Sequence, residues 1–167
     1  IVAYTLVTLT LTLMMSSMRI FFLPNLGSLE DPNERNDFFN RALSVFIPIS
    51  VFVCLILVLF SEQIIILLYS EEFIEAKTFL SIFSCSVIVQ TFNWLIATTI
   101  LERNRYNFFM LADCTKEILY VISCIIIVLT TKDLNQLFLG FLISNIVVSI
   151  LYYSYIKIHK SELTISF

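Results

Sequence analysis

Three ionisable residues, Asp113, Lys116 and Glu117, stand in an otherwise apolar part of the sequence and are the side chains best suited to do chemistry there. Their spacing of three and four residues places Lys116 and Glu117 one helical turn from Asp113. Ionisable groups are costly in lipid and often mark the path of a ligand. Two roles stay open: the three residues line a central cavity and contact a charged head group, or they form a self-paired cluster that is partly wetted.

Three other polar residues could contact a ligand. Gln90 and Asn93 lie near the middle of a long uncharged stretch, where their amides could bind a ligand in a lumen or hold neighbouring helices together. We expect the adjacent Trp94 to serve in packing. Arg19 could contact a phosphate group, or its long side chain could extend to the lipid head groups.

Catalytic chemistry is not predicted. The chain has one histidine, His159, and four cysteines without a CxxC spacing. Metal-assisted hydrolysis and Ser–His chemistry therefore lack their usual residues. We expect no enzyme activity, no metal site and no cofactor.

Five long stretches without any charged residue must position these side chains. Hydrophobic residues make up 59% of the chain and charged residues 14%, against about 25% charged residues in soluble domains. A helix needs about 20 apolar residues to cross a bilayer, and in lipid the backbone must satisfy its own hydrogen bonds. The fourth stretch is long enough only if Asp113, Lys116 and Glu117 belong to the same helix. The uncharged stretches are Ile1–Met18, Ala42–Phe60, Thr78–Leu101, Ile118–Thr131 and Leu134–Ile156.

We therefore predict an all-α integral membrane protein, a bundle of five transmembrane helices that forms a single domain over residues 1–167. The predicted spans cover about 1–23, 38–60, 74–101, 106–131 and 134–156. The lipid bilayer is the expected surrounding, and no nucleic-acid partner is expected. Because the chain starts at Ile1, already in an apolar run, we expect a fragment that lacks an N-terminal part.

The links between the spans contain local signals. The segment from Leu23 to Glu30 predicts a non-helical link, and Asp31 followed by Pro32 predicts the start of the second helix. The short apolar run 64–69 cannot span a membrane and predicts an interfacial or re-entrant segment. Ser70, followed by two glutamates, predicts the start of the third spanning helix.

The positive charges of the links predict an orientation. Seven basic residues fall on the side of the links after the first, third and fifth spans, and two, Lys77 and Lys132, fall on the other side. Positive residues accumulate on the cytoplasmic side, so the C-terminus is expected in the cytoplasm. The seven residues are Arg19, Arg35, Arg41, Arg103, Arg105, Lys157 and Lys160.

Three segments resemble a known family. They are Phe22–Leu26 followed by Asp31, the run Ser61–Ser70 followed by Phe73 and Ala76, and the polar turn Leu101–Arg105. In order and spacing they are similar to the C-terminal part of polysaccharide flippases of the O-antigen transporter (Wzx-like) type. These flippases belong to the multidrug/oligosaccharidyl-lipid/polysaccharide (MATE-like) exporter superfamily. Ser70 departs from the pattern, since the family commonly has glycine there.

The resemblance implies the eighth to twelfth spans of a twelve-helix flippase in the bacterial inner membrane. The implied activity is translocation of a lipid-linked polysaccharide repeat unit, carried on undecaprenyl diphosphate, with a polysaccharide polymerase as a partner. Gln90 and Asn93 would then contact sugars, and Arg19 the carrier phosphate. Alternatives are a drug or metabolite exporter or a peptidoglycan-precursor flippase of the same superfamily, or a non-transporting helical membrane scaffold.

Overall fold

The structure is a computed structural model, and it describes residues 2–29, 31–130 and 135–158. All regular elements in these ranges are helical. Lys132, His159 and Lys160, and with them part of the predicted charge pattern, lie outside the described residues. The elements are α1 (Val2–Gly27), α2 (Pro32–Leu59), α3 (Ser61–Leu68), a short 3₁₀ helix (Glu71–Phe73), α4 (Ala76–Glu102), α5 (Tyr106–Thr130) and α6 (Asn135–Ile158).

Four helices of the described chain are long and apolar enough to cross a membrane, which supports the prediction of a helical membrane protein. These segments are Thr5–Gly27, Pro32–Leu59, Ala76–Glu102 and Phe138–Ile156. α5 has 25 residues and is also long enough, but Asp113, Lys116 and Glu117 lie near its middle, so every stretch of 18 residues within it contains three charged residues. The three charged residues share one helix, as the sequence predicts. Because of them, α5 is not among the helices whose composition suits a membrane span.

α4 lies at the centre of the bundle and packs against α1, α2 and α6, whereas α5 packs mainly against α6. Successive long helices run in opposite directions. At one end, which we call the arginine end, Arg35 at the start of α2 meets Glu102 at the end of α4. At the opposite end, the lysine end, Glu62 of α3 meets Lys77 at the start of α4.

Two apolar clusters fill the bundle, one toward each end. The cluster at the arginine end is built from α1, α2, α4, α5 and α6, and it includes the fully buried Phe22, Phe39 and Leu95. The cluster at the lysine end includes Val7, Ile65 and Leu80. Burying such large side chains contributes about 1.5–3 kcal/mol each in water. In lipid, close packing replaces this term as the main force between helices.

Aromatic rings and one glycine fix α6 against its neighbours. Phe108 of α5 stacks on Tyr155 of α6 with ring centroids 4.0 Å apart. A Cβ atom on Gly140 would lie 2.8 Å from the Ser123 hydroxyl oxygen, so glycine permits the close approach of α5 and α6. Small residues commonly allow such contacts between membrane helices.

The start of α2 follows the prediction, and the end of α1 does not. Asp31 caps α2 by accepting a hydrogen bond from the Asn33 backbone N–H at 2.9 Å, and Pro32 takes the first helical position. The expected non-helical link from Leu23 is wrong in its first half, because α1 continues through Pro24 to Gly27. The Asn25 side-chain amide donates to the Phe21 carbonyl at 2.7 Å, which supports the backbone beside the proline.

The lysine end contains a second correction. Ser70 was expected to start the third spanning helix, but it precedes only the short 3₁₀ helix and makes no side-chain capping bond. α4 begins at Ala76, also without a side-chain cap. The apolar run before Ser70 forms the short helix α3, in agreement with the prediction of a segment too short to span.

The polar turn between α4 and α5 has a simple geometric cause. Asn104 adopts a left-handed backbone conformation with φ 58°. The Arg105 N–H donates to the Ile100 carbonyl at 3.2 Å, which satisfies a carbonyl at the end of α4. Asparagine is one of the few residues that accept this conformation at a helix end.

Candidate functional site

A cleft of about 260 Å³ lies near the middle of α4 and α6 and borders the apolar cluster at the arginine end. It gathers side chains from four helices, and four of the six residues singled out from the sequence line it: Gln90, Asn93, Asp113 and Lys116. The other lining residues are Met15 of α1, Trp94 and Ala97 of α4, Phe109 of α5, and Asn145, Val148 and Tyr152 of α6. Residues far apart in the sequence thus form one partly polar site inside an apolar bundle.

Asn93 holds α4 and α6 together at the wall of this cleft. Its amide nitrogen donates to the Asn145 carbonyl at 3.0 Å, and its amide oxygen accepts from the Ser149 hydroxyl at 2.7 Å. Both side-chain polar atoms of the buried Asn93 are therefore used between helices. This geometry matches the helix-binding role, which was one of the two roles expected for Asn93.

Gln90 lies one turn before Asn93 and is bonded within its own helix. Its amide nitrogen donates to the Ser86 hydroxyl at 2.9 Å. The side chain is half-buried and lines the cleft. Among the described residues its carbonyl oxygen accepts no hydrogen bond, so Gln90 can offer an acceptor to a ligand.

The three ionisable residues of α5 form a continuous ion-pair cluster. Lys116 Nζ lies 2.9 Å from Asp113 Oδ1 and 3.1 Å from Glu117 Oε1. The two carboxylates are 51% and 61% exposed, whereas Lys116 is 27% exposed. The pairing expected from the spacing is therefore present, with Asp113 and Lys116 on the cleft and Glu117 beyond its rim.

Arg19 lies apart from this site. It is exposed on α1, and the cleft receives Met15, one turn earlier, from that helix. α1 continues two turns beyond Arg19, to Gly27. Arg19 and Glu117 are thus the two candidate residues that the structure does not bring into the cleft.

Several lining residues were missed from the sequence. Asn145 is an amide in the middle of an uncharged stretch, the same signal that singles out Gln90 and Asn93, so it could have been found. Its own amide nitrogen donates to the Phe141 carbonyl at 2.9 Å. Tyr152 is buried at the cleft, and Trp94 lines it as well as contacting Phe22. Tyr152 belongs to a group of aromatic residues at the end of its span, where such residues are common, so no sequence signal singles it out. Trp94 is next to Asn93, but the sequence predicts only a packing role for it.

The arrangement suits binding. Aromatic and aliphatic surface with a few fixed polar groups is typical of a small-molecule site. A comparison with protein-family models, with curated proteins and with solved structures finds no match to this chain.

Proposed function

We propose that this chain is part of a membrane flippase that moves a lipid-linked oligosaccharide, a polysaccharide repeat unit, across the bacterial inner membrane. The observation that carries the proposal is the mid-bundle cleft, where Gln90, Asp113 and Lys116 meet within helices that are otherwise apolar. Polar groups near the middle of membrane helices commonly mark the path of a substrate.

In this proposal the helices form one wall of a cavity that opens alternately to the two membrane faces, and no covalent chemistry takes place. The chain would supply the eighth to twelfth spans of a twelve-helix protein, with the arginine end and the C-terminus in the cytoplasm. The substrate would be carried on undecaprenyl diphosphate, and a polysaccharide polymerase would receive it. The resemblance of the three sequence segments supports these details.

The proposal is tested in cells that lack the gene encoding this chain. We expect loss of the surface polysaccharide and accumulation of its lipid-linked repeat unit in the inner leaflet, with recovery when the gene is restored. Restoration with Gln90→Leu should recover less polysaccharide than restoration with Gln63→Leu, the same substitution at an exposed position of α3 at the lysine end. Normal surface polysaccharide in the deletion strain would contradict the proposal.

A scaffold without transport activity is the second candidate, and the Asn93 contacts favour it. Both polar atoms of Asn93 are used to join α4 to α6, and Lys116 is paired with residues of its own helix. A scaffold predicts that Gln90→Leu, which leaves these contacts in place, recovers as much polysaccharide as the unchanged gene.

A further inference from the structure

The size of the cleft limits what it can hold. Its volume is about 260 Å³, whereas pockets for drug-sized ligands have about 300–1,000 Å³. The cleft is open on one side, so its inner part has room for about one sugar ring while the remaining sugars of an oligosaccharide lie outside it.

The lining offers the two kinds of surface that a sugar ring requires. Trp94, Phe109 and Tyr152 contribute aromatic surface to the lining, which suits the C–H face of a sugar. Gln90 provides a carbonyl oxygen, and Asp113 provides a carboxylate that is half-exposed. Both groups accept hydrogen bonds, so they suit the hydroxyl or amino hydrogens of a sugar.

The ion-pair cluster that borders the cleft is negative overall. Asp113 and Glu117 contribute two carboxylates, and Lys116 contributes one ammonium group that is shared between them at 2.9 and 3.1 Å. One negative charge therefore remains uncompensated within the cluster. On the lining itself Asp113 and Lys116 compensate each other, so the excess charge is contributed by Glu117 beyond the rim. The remaining lining residues are uncharged amides, apolar residues and a tyrosine.

From size, lining and charge together we infer that the cleft binds a single sugar residue that is neutral or carries an amino group, and that it discriminates against acidic sugars such as uronic acids. This inference rests on the proposed function, because it assigns a sugar class to the same site. An acidic sugar would bring its carboxylate close to the excess negative charge on α5, while an amino sugar would gain from it.

Trp94 makes a direct binding test available. It is the only tryptophan in the chain and it lines the cleft, so its fluorescence reports on a ligand there. The chain in nanodiscs of uncharged lipid is titrated with methyl glucoside, methyl glucosaminide and methyl glucuronide, which differ in a single functional group. We expect saturable changes with the first two and a dissociation constant about tenfold higher for the glucuronide, from one like-charge contact.

A charge-removing variant sharpens the test. Glu117→Gln removes one carboxylate beyond the rim of the cleft, so the cluster becomes neutral. We expect the ratio of the glucuronide and glucoside dissociation constants to fall at least to about a third of its original value. Glu62→Gln makes the same chemical change at the lysine end and should leave the ratio as it is.

The outcomes separate this inference from the proposed function. Equal or tighter binding of the glucuronide, or an unchanged ratio in Glu117→Gln, overturns the inference and leaves the flippase proposal standing. The absence of any saturable change with the three sugars also overturns it. The gene-deletion experiment decides the flippase proposal by itself.

Discussion

The two ends of the α2–α4 pair are closed in different ways. At the arginine end, Arg35 lies 3.5 Å from Glu102, and the two side chains are only 22% and 18% exposed. Arg35 also donates to the Leu29 carbonyl at 2.6 Å, which joins the link after α1 to the same contact. At the lysine end, Lys77 and Glu62 are 3.1 Å apart but are half-exposed. The shorter ion pair is therefore the weaker one, because solvent screens it.

The two ends also differ in how the N-termini of their helices are capped. Asp31 caps α2 at the arginine end, while neither Ser70 nor Glu75 caps a helix with its side chain at the lysine end. α3 and the 3₁₀ helix occupy the lysine end in place of a direct turn. The comparison indicates that the arginine end is the more stable one and that the lysine end is held mainly by its apolar cluster.

The largest effect is expected for Arg35→Met. Glu102 Oε2 and Arg35 Nε are buried and make no hydrogen bond among the described residues, so removal of the guanidinium leaves a carboxylate without compensation. We expect a loss of about 3 kcal/mol in the free energy of unfolding, measured in detergent micelles by circular dichroism. The double variant Arg35→Met with Glu102→Leu should recover most of this loss. Equal stability of the single and double variants would show that the ion pair is not what holds this end.

A smaller loss is expected for Asp31→Ala. The variant removes the hydrogen bond to the Asn33 N–H, and loss of an N-cap costs about 1 kcal/mol. The same unfolding measurement checks this value. Asn33→Ala changes a side chain of the same turn but keeps the backbone donor and the cap. Its loss in the free energy of unfolding should therefore be less than half that of Asp31→Ala. A reversed order of the two variants would contradict the capping role of Asp31.

A still smaller loss is expected for Lys77→Met at the lysine end. An exposed ion pair contributes about 0.2–1 kcal/mol, and raising the salt concentration should reduce the difference between the variant and the original chain. Lys77→Arg keeps the charge and serves as the control. If Lys77→Met lowers the free energy of unfolding as much as Arg35→Met does, the conclusion that the arginine end has the stronger ion pair is wrong.

The smallest effect is expected for Ser70→Ala. Because Ser70 makes no side-chain capping bond, the free energy of unfolding should change by less than about 0.5 kcal/mol. The comparison with Asp31→Ala is the direct test, since both variants replace a residue that the sequence marks as a helix cap. A loss of about 1 kcal/mol would mean that Ser70 caps a helix after all.

Asp31 and Ser70 also show how much of the fold the sequence can predict. The uncharged stretches locate the long helices, and Asp31 with Pro32 locates a helix start, because these signals are local. Ser70 has the same local pattern, but α3 packs against α4 there and the chain turns before the helix begins. Pro24 misleads in the other direction, since the side chain of Asn25 supports a helix that the proline was expected to end.

The candidate site was predictable in part for a related reason. Polar residues inside apolar stretches are visible in the sequence, which is why Gln90, Asn93, Asp113 and Lys116 could be named. Whether such a residue faces a cleft or a neighbouring helix depends on packing. Asn93 does both. Arg19 is exposed and lies outside the cleft, although it is one turn from Met15, which lines it. Neither outcome is encoded in local spacing.

The central place of α4 has a consequence for the order of assembly. α1 and α2 have few contacts with each other and many with α4. Chains are made from the N-terminus onward, so α1 and α2 are synthesised before α4, which provides the surface that joins them. α1 and α2 therefore obtain most of their packing surface only when α4 is inserted. The arrival of α4 sets the moment at which this part of the bundle can form.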